Sequence, residues 1–406
     1  MKPKLMLTAL VVFFVTSSIA QKSQPIPGQY IVILKESAAT PVINKQKKND
    51  NREQKFNDNN QERQKNLDKL KEVRQKKNIK ESSVLSEYAD VTVGFSAKLT
   101  DKEKKDLEAD PEIEGVYLDY SFNIGPGIPE SDINTTPVGV SPTSTQTIGC
   151  NITNAGGFVD GSSKSTSIWL LDTGADMDHP DLNIQKNATF AKSFVPYQAI
   201  EDLSGHGTHC AGIAAAKNNS FGVVGVSAGA KIIPVKVLNN NVDGQVSWLL
   251  AGLNHVAKYD IPGDVVSMSL GGSVSSNCEN LIPALRYAIK AMGMAGTWIV
   301  MGAGNDGDDA AKFLPGCING TRVLTVGSID CRNACSSTSN FNLSVVDWVA
   351  TGENVFSTYK NWGYAKLSGT SMSTPAVAGI VHSKNNYPAS GGTVICKRLS
   401  YKIAIR

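Results

Sequence analysis

The first 128 residues of this 406-residue chain contain no cysteine and no tryptophan, although the whole holds 7 Cys and 5 Trp. That front piece must fold without disulfides. It is also poor in glycine, since 31 of the 36 Gly lie after residue 128. Net charge is only +3, from 40 Lys+Arg and 37 Asp+Glu. A balance so close to zero argues against nucleic acid or a membrane surface as partner. No stretch beyond the first 20 residues is long and apolar enough to span a bilayer. His206 and His209 lie three apart, but no Cys/His pair elsewhere completes a tetrahedral zinc spacing.

The residues that are present divide the chain in two. Residues 1–128 carry 21 Lys+Arg and 18 Asp+Glu, and the remainder carries 19 of each. Hydrophobic content of 41% and charged content of 19% suit a soluble protein with a real core. Residues 1–20 read as a secretory signal: Lys2 and Lys4, an apolar run from Leu5 to Val15, then small residues up to Ala20. Export permits disulfides in the mature protein.

Residues 21–125 read as a small α+β unit. Strands are predicted at Tyr30–Leu34, Val91–Leu99 and Ile113–Leu118, and Thr100 caps a helix over Asp101–Glu108. Asn44–Lys80 carries 13 basic and 6 acidic residues, with Phe56 its one aromatic. It reads as a solvated helix or flexible loop. Phe122 to Thr147 is rich in Gly, Pro, Ser and Thr and reads as a linker, so residues 126–149 are assigned to the linker and the mature N-terminus. From residue 150 to 406, strands are predicted at Ser167–Leu171, Lys231–Val237, Val265–Leu270, Trp298–Gly302, Val323–Val326 and Ser344–Val349. They alternate with helices at His206–Ala216, Val246–Tyr259, Asn280–Met292 and Ser371–Val381. Such alternation predicts an α/β fold, a mostly parallel central sheet with helices on both faces.

Four stretches fall where an open α/β sheet places its sites, at strand ends and helix starts. Asp172 ends an apolar strand. His206 opens a helix in Ser-Gly-His-Gly-Thr-His-Cys. Asn305 follows Gly-Ala-Gly after another strand. Ser371 sits in Gly-Thr-Ser-Met-Ser-Thr-Pro, where Pro375 suits the first turn of a helix. Singly, each is as well explained by a turn or a cap. Together they supply a hydroxyl nucleophile, an imidazole base, an orienting carboxylate and an amide donor, the parts of acyl transfer.

The order Asp–His–Ser, with DTGADMDHPDL, SGHGTHCAGIAAA, SLGG, GAGND and GTSMSTPAVAG, resembles the subtilisin-like serine proteases. Cys210 directly after His209 is similar to the proteinase K branch. GQYIVILK and VGFSAKLT resemble that family's inhibitory propeptide. The resemblance implies a secreted, self-processing zymogen acting as a monomer on polypeptides through Asp172, His206 and Ser371, with Asn305 at the oxyanion. No cofactor is implied for catalysis. Its own propeptide is the implied partner, with Tyr120 or Phe122 filling the specificity pocket and self-cleavage between about Phe122 and Ser131. Ser269, Leu270, Gly271, Gly302, Ala303 and Gly304 would bind substrate, with Asp306 at the pocket rim disfavouring acidic residues. Asn241–Val246 would flank the peptide, although Val242 stands where the family has glycine. Asp347, with the carbonyls of Thr321 and Val323, is similar to a structural calcium site.

Seven Cys is an odd number. Cys210 reads as a buried free thiol, and the other six allow fifteen pairings. Sequons at Asn134, Asn151, Asn187, Asn218, Asn319 and Asn342 are glycosylation candidates. The polar segment His382–Asn386 and the end at Arg406 suggest weakened packing beneath Ser371. The other readings are a catalytically inactive binding protein on the same fold, and a protease of a lytic compartment rather than an extracellular one.

Overall fold

The structure is a computed structural model and describes residues 22–45, 51–125 and 145–406. The signal, Asn134 and most of the linker lie outside the described residues. The front unit contains β1 (Gln24–Leu34), α1 (Arg52–Lys76), β2 (Val84–Tyr88), β3 (Gly94–Lys98), α2 (Asp101–Glu108) and β4 (Ile113–Asn123). Its strands form an antiparallel sheet in the order β4-β1-β3-β2. Tyr30, Val32 and Leu34 face a core shared with Leu70, Val73 and Leu107 of the two helices. Ile31 and Ile33 point the other way, as period-2 alternation requires, and join the core of the second unit.

In that unit the elements that carry the site are β5 (Ile168–Asp172), α3 (His206–Ala215), β6 (Ile232–Lys236), β7 (Asp243–Gln245), α4 (Val246–Tyr259), β8 (Val265–Met268), α5 (Pro283–Ala295), β9 (Trp298–Gly302), β10 (Val323–Ile329), β11 (Trp348–Thr351) and α6 (Thr370–Lys384). The chain closes with β12 (Ala389–Cys396) and β13 (Leu399–Ile405). The central sheet runs β12-β13-β11-β10-β9-β8-β5-β6 and ends on the short strand Lys192–Ser193. All pairings in it are parallel except β12 with β13. Trp169 and Leu171 of β5 pack with α4 and α5 on one face, while Ile168 and Leu170 pack with α3 and α6 on the other. The front sheet lies over α4 and α5, so those helices are covered on both sides.

Several expectations are corrected. The charged stretch is a 25-residue helix with one face buried, Lys55, Asn59, Arg63, Asn66, Leu70, Val73 and Arg74, at spacings of three and four. That face is buried through ion pairs and amide hydrogen bonds more than through apolar contact. The predicted strand Val91–Leu99 begins only at Gly94. The amides of Asp90, Val91 and Thr92 instead donate to Asn254 Oδ1 at 3.2, 3.1 and 3.4 Å, so they are unavailable to a ladder. The predicted strand Ser344–Val349 begins at Trp348, because Val345 and Val346 N–H close a turn onto Asn342 O at 3.0 and 2.8 Å.

The segment beneath Ser371 is not loosely packed. α6 continues to Lys384, with Val377, Ile380 and Val381 fully buried. His382 is buried between Ser227 Oγ (2.8 Å) and Thr166 Oγ1 (3.2 Å). β13 joins the sheet beside β11, and Arg406 N–H reaches Ala155 O at 2.8 Å. Disulfides link Cys150–Cys331, Cys278–Cys317 and Cys335–Cys396, leaving Cys210 buried and free. Asn151 is buried in the short helix Cys150–Asn154, so a glycan does not fit there. Asn187 and Asn218 are exposed. Asn319 and Asn342 have their amide nitrogens on Ser344 O and Asp309 Oδ1, at 2.6 and 2.7 Å.

Candidate active site

Asp172 ends β5, a strand apolar on both faces as a central parallel strand must be. Its Oδ1 accepts the Thr173 N–H and the Nδ1–H of His206, both at 2.7 Å. That contact fixes the imidazole tautomer and leaves Nε2 as the base. Burial disfavours the charged imidazolium, but the Asp172 charge and hydrogen bond outweigh it, with Asp202 adding. The His206 pKa ends above its ordinary 6.5.

His206 is the first residue of α3, and its N-cap Gly205 offers no side-chain acceptor. Asp202 takes that role from outside the helix. Its Oδ1 accepts from Gly205 N (2.8 Å), Ser204 N (3.0 Å) and Thr173 Oγ1 (2.8 Å). Its Oδ2 accepts from Thr208 N (2.8 Å) and Thr208 Oγ1 (2.7 Å). One buried carboxylate thus ties the Asp172 turn to the His206 helix. Sequence reasoning missed Asp202; an acidic residue a few positions before a helix whose N-cap is glycine was the available signal.

Ser371 is the second residue of α6. Gly369 before it has φ 137°, and a Cβ there would stand 3.2 Å from Asn305 Nδ2. Pro375 lies in the second turn of α6, not the first, and so has no N–H for the Ser371 carbonyl. Ser269 Oγ (2.8 Å) and Cys210 Sγ (3.4 Å) donate to that carbonyl instead. Burial pushes the Cys210 thiol well above its ordinary range, so it stays neutral. Ser371 Oγ points to Ser269 O at 3.4 Å, and a χ1 rotation is the motion that would turn it to another acceptor. Asn305 Oδ1 accepts from Thr370 N (2.9 Å) and Thr370 Oγ1 (3.1 Å), which leaves Nδ2 as a free donor beside Gly369.

The slot beside Ser371 is lined by Ser269, Leu270, Gly271, Gly302, Asn305 and Phe313, and only about 20 Å³ of it is open. Phe313 was not expected. Ala303, Gly304 and Asp306 do not line it. Ala303 is fully buried, Gly304 packs on Phe313, and the Asp306 carboxylate is turned to Ser273, accepting from its Oγ. β4 pairs antiparallel with β7, Phe122 opposite Gly244 and Asn123 opposite Asp243. Ile124 N–H then reaches Val242 O at 3.4 Å, and Asn123 and Ile124 lie at the mouth of the slot. The pocket expectation for Tyr120 and Phe122 is therefore corrected. Phe122 sits upstream, where a Cβ on Gly244 would come within 2.5 Å of its ring, and Tyr120 packs on the core. Val242 has φ 61°, a costly conformation for a β-branched residue.

Among the described residues, the one group of three or more His, Cys, Asp or Glu close enough to hold a metal is Asp172, His206 and Cys210. Asp347 is an exposed carboxylate whose Oδ2 accepts the Thr325 N–H at 2.8 Å, which leaves its other oxygen available. The Thr321 carbonyl lies against Gly293, 2.1 Å from where a Cβ would stand. An open carboxylate and backbone oxygens suit calcium chemically, and among the described residues Asp347 belongs to no group of three or more His, Cys, Asp or Glu.

A hydroxyl, an imidazole paired with a buried carboxylate, and a free amide donor beside a peptide groove define a serine hydrolase. A model of the subtilase family matches residues 163–393, and a peptidase inhibitor I9 model matches residues 29–124. Proteinase R of Parengyodontium album is 32% identical over 298 residues, 72% of this chain and 70% of that protein. A thermostable alkaline protease of Halalkalibacterium halodurans is 33% identical over 318 residues, 78% of this chain and 79% of the other. An intracellular serine protease of Paenibacillus polymyxa is 40% identical over 224 residues, 53% of this chain and 65% of that protein. The chain belongs to the subtilase family of serine proteases, with an I9 inhibitor domain ahead of its subtilase domain.

Proposed function

We propose that the protein is a secreted serine endopeptidase made as a self-processing zymogen. The observation that carries this is the 2.7 Å pair of Asp172 with His206, whose helix meets the Ser371 carbonyl through Cys210, with the tail of the front unit lying as a strand in the groove at Ser371. Ser371 Oγ attacks the scissile carbonyl, and His206 Nε2 takes its proton and returns it to the leaving amine. Asp172 stabilises the imidazolium. Asn305 Nδ2 donates to the oxyanion, and water then releases the acyl group. A substrate strand adds to β7 as residues 121–123 do, with Ser269–Gly271 on its other side. The tail geometry supports a cut on the C-terminal side of Ile124, before about Ser131.

Export through residues 1–20, monomeric action on apolar-preferring sites, and glycans on Asn187 or Asn218 complete the proposal. So does a structural calcium at Asp347, Thr321 and Val323; a melting temperature unmoved by EDTA removes it. Fluorophosphonate labelling tests the chemistry. Ser371 is expected to take the label in processed wild type, and an unlabelled protein would leave a non-catalytic role.

A further inference from the structure

The charged helix α1 makes a contact that the active-site groove does not require. Its first turns reach residues 259–264, the connection from α4 to β8. Arg52 forks onto Asp264, Nη2 to Oδ1 at 2.8 Å and Nη1 to Oδ2. Its Nη1 also donates to Tyr259 O (3.1 Å) and its Nη2 to Ser167 Oγ (2.9 Å), and the guanidinium lies over the Trp169 ring. Lys55 Nζ donates to Asp260 O at 2.7 Å and to the Asp260 carboxylate. Phe56 stacks on Tyr259 with ring centroids 5.4 Å apart. Lys55, Asp260 and Asp264 are all buried.

Both aspartates are held from their own side as well. Asp264 accepts Ser167 N–H (2.8 Å), Trp169 Nε1–H (2.8 Å) and Ile261 N–H (3.1 Å), and Asp260 accepts from Thr297 Oγ1. The two acceptors are therefore preset for a cationic partner. They also stand far from the chemistry. Asp264 precedes β8 and Ser167 precedes β5, whereas Ser269 and Asp172 are at the opposite ends of those strands. A strand of that length separates them by about 13–16 Å.

We propose that the subtilase domain carries a second peptide-binding site, formed by Asp260, Asp264 and Tyr259. It takes a cationic helical segment bearing Arg, Lys and an aromatic at the spacing of Arg52, Lys55 and Phe56. Its occupant is the chain's own α1, both before cleavage and afterwards, when the propeptide is a separate molecule. This rests on the zymogen reading. Cleavage near Ile124 cuts the covalent link but leaves α1 seated. The cut propeptide is then held at α1 as well as by its tail in the groove and its sheet over α4 and α5, and each contact raises the effective concentration at the others. Release of active enzyme requires the α1 contact to open along with them.

The test compares the full-length wild type with Arg52→Gln/Lys55→Gln. The mature enzymes they release have the same sequence, so a difference in lag before peptidase activity comes from the propeptide. The variant is expected to cleave, to lose co-purification of its propeptide, and to shorten the lag about tenfold or more, the scale for losing buried charge pairs. Lys102→Gln, an exposed charge on α2, should keep the wild-type lag. If the double variant yields no cleaved enzyme, Arg52→Lys, which keeps the charge but loses the fork, is read the same way. Wild-type lag and co-purification in whichever variant is read overturn the second site alone. A wild type that never cleaves overturns the zymogen reading and this inference with it.

Discussion

Pro375 leaves the Ser371 carbonyl without its helical partner, and Ser269 Oγ takes that place at 2.8 Å. A residue on the wall of the slot thereby holds the backbone of the proposed nucleophile. The same carbonyl receives only a long thiol contact from Cys210. Ser269→Ala should therefore lower kcat with little change in KM, and cost about 1–3 kcal/mol of stability, the range for a buried acceptor left unpaired. Thermal melts and steady-state kinetics check this; a variant equal to wild type in both contradicts it.

Asn305 is oriented by Thr370 rather than by substrate, so its Nδ2 is preorganised for the oxyanion. Asn305→Ala should reduce kcat by about 10²–10³, the loss that removing such a donor costs in serine proteases, while KM moves little. A change in KM alone would assign Asn305 to ground-state binding.

The base works only when His206 is neutral. Its pKa is raised above 6.5 by Asp172 against the cost of burial. Activity should consequently rise with pH through a midpoint above 6.5 in kcat/KM. Asp172→Asn should move that midpoint down as well as slow the reaction. A midpoint below 6.5 in the wild type contradicts the assignment.

Four other histidines act on stability. Burial lowers the pKa of His179, His255 and His382 to about 4 and that of His209 to about 3. Each is neutral when folded but takes a proton at about 6.5 when unfolded. Their contribution is complete above pH 6.5 and is lost as pH falls towards 4 and below, because the unfolded chain then binds more protons. Melting temperature should fall across that window; a flat profile from pH 7 to 4 argues against it.

Asp172, His206, Asn305 and Ser371 were legible because each sits at a strand end or helix start, where local sequence decides geometry. Asp202 was not, since its hydrogen bonds join two turns 29 residues apart. The role of α1 was hidden for the same reason on a larger scale. Its charges look solvated until Asp264, 212 residues on, is seen to receive Arg52. Thr92 lost its place in a strand to Asn254, a side chain from the other unit. Phe122 reads as a pocket residue by its chemistry alone. Its true seat depends on the register of β4 against β7, which no single stretch encodes.

The most direct measurement is the fate of the full-length chain with and without its nucleophile. Wild type and Ser371→Ala are expressed side by side and followed by mass spectrometry. The wild type is expected to yield two chains, the new N-terminus lying between residues 125 and 131, while Ser371→Ala keeps the propeptide attached. Two proteins of unchanged, equal size, or cleavage at the same bond in Ser371→Ala, would contradict self-processing by this serine.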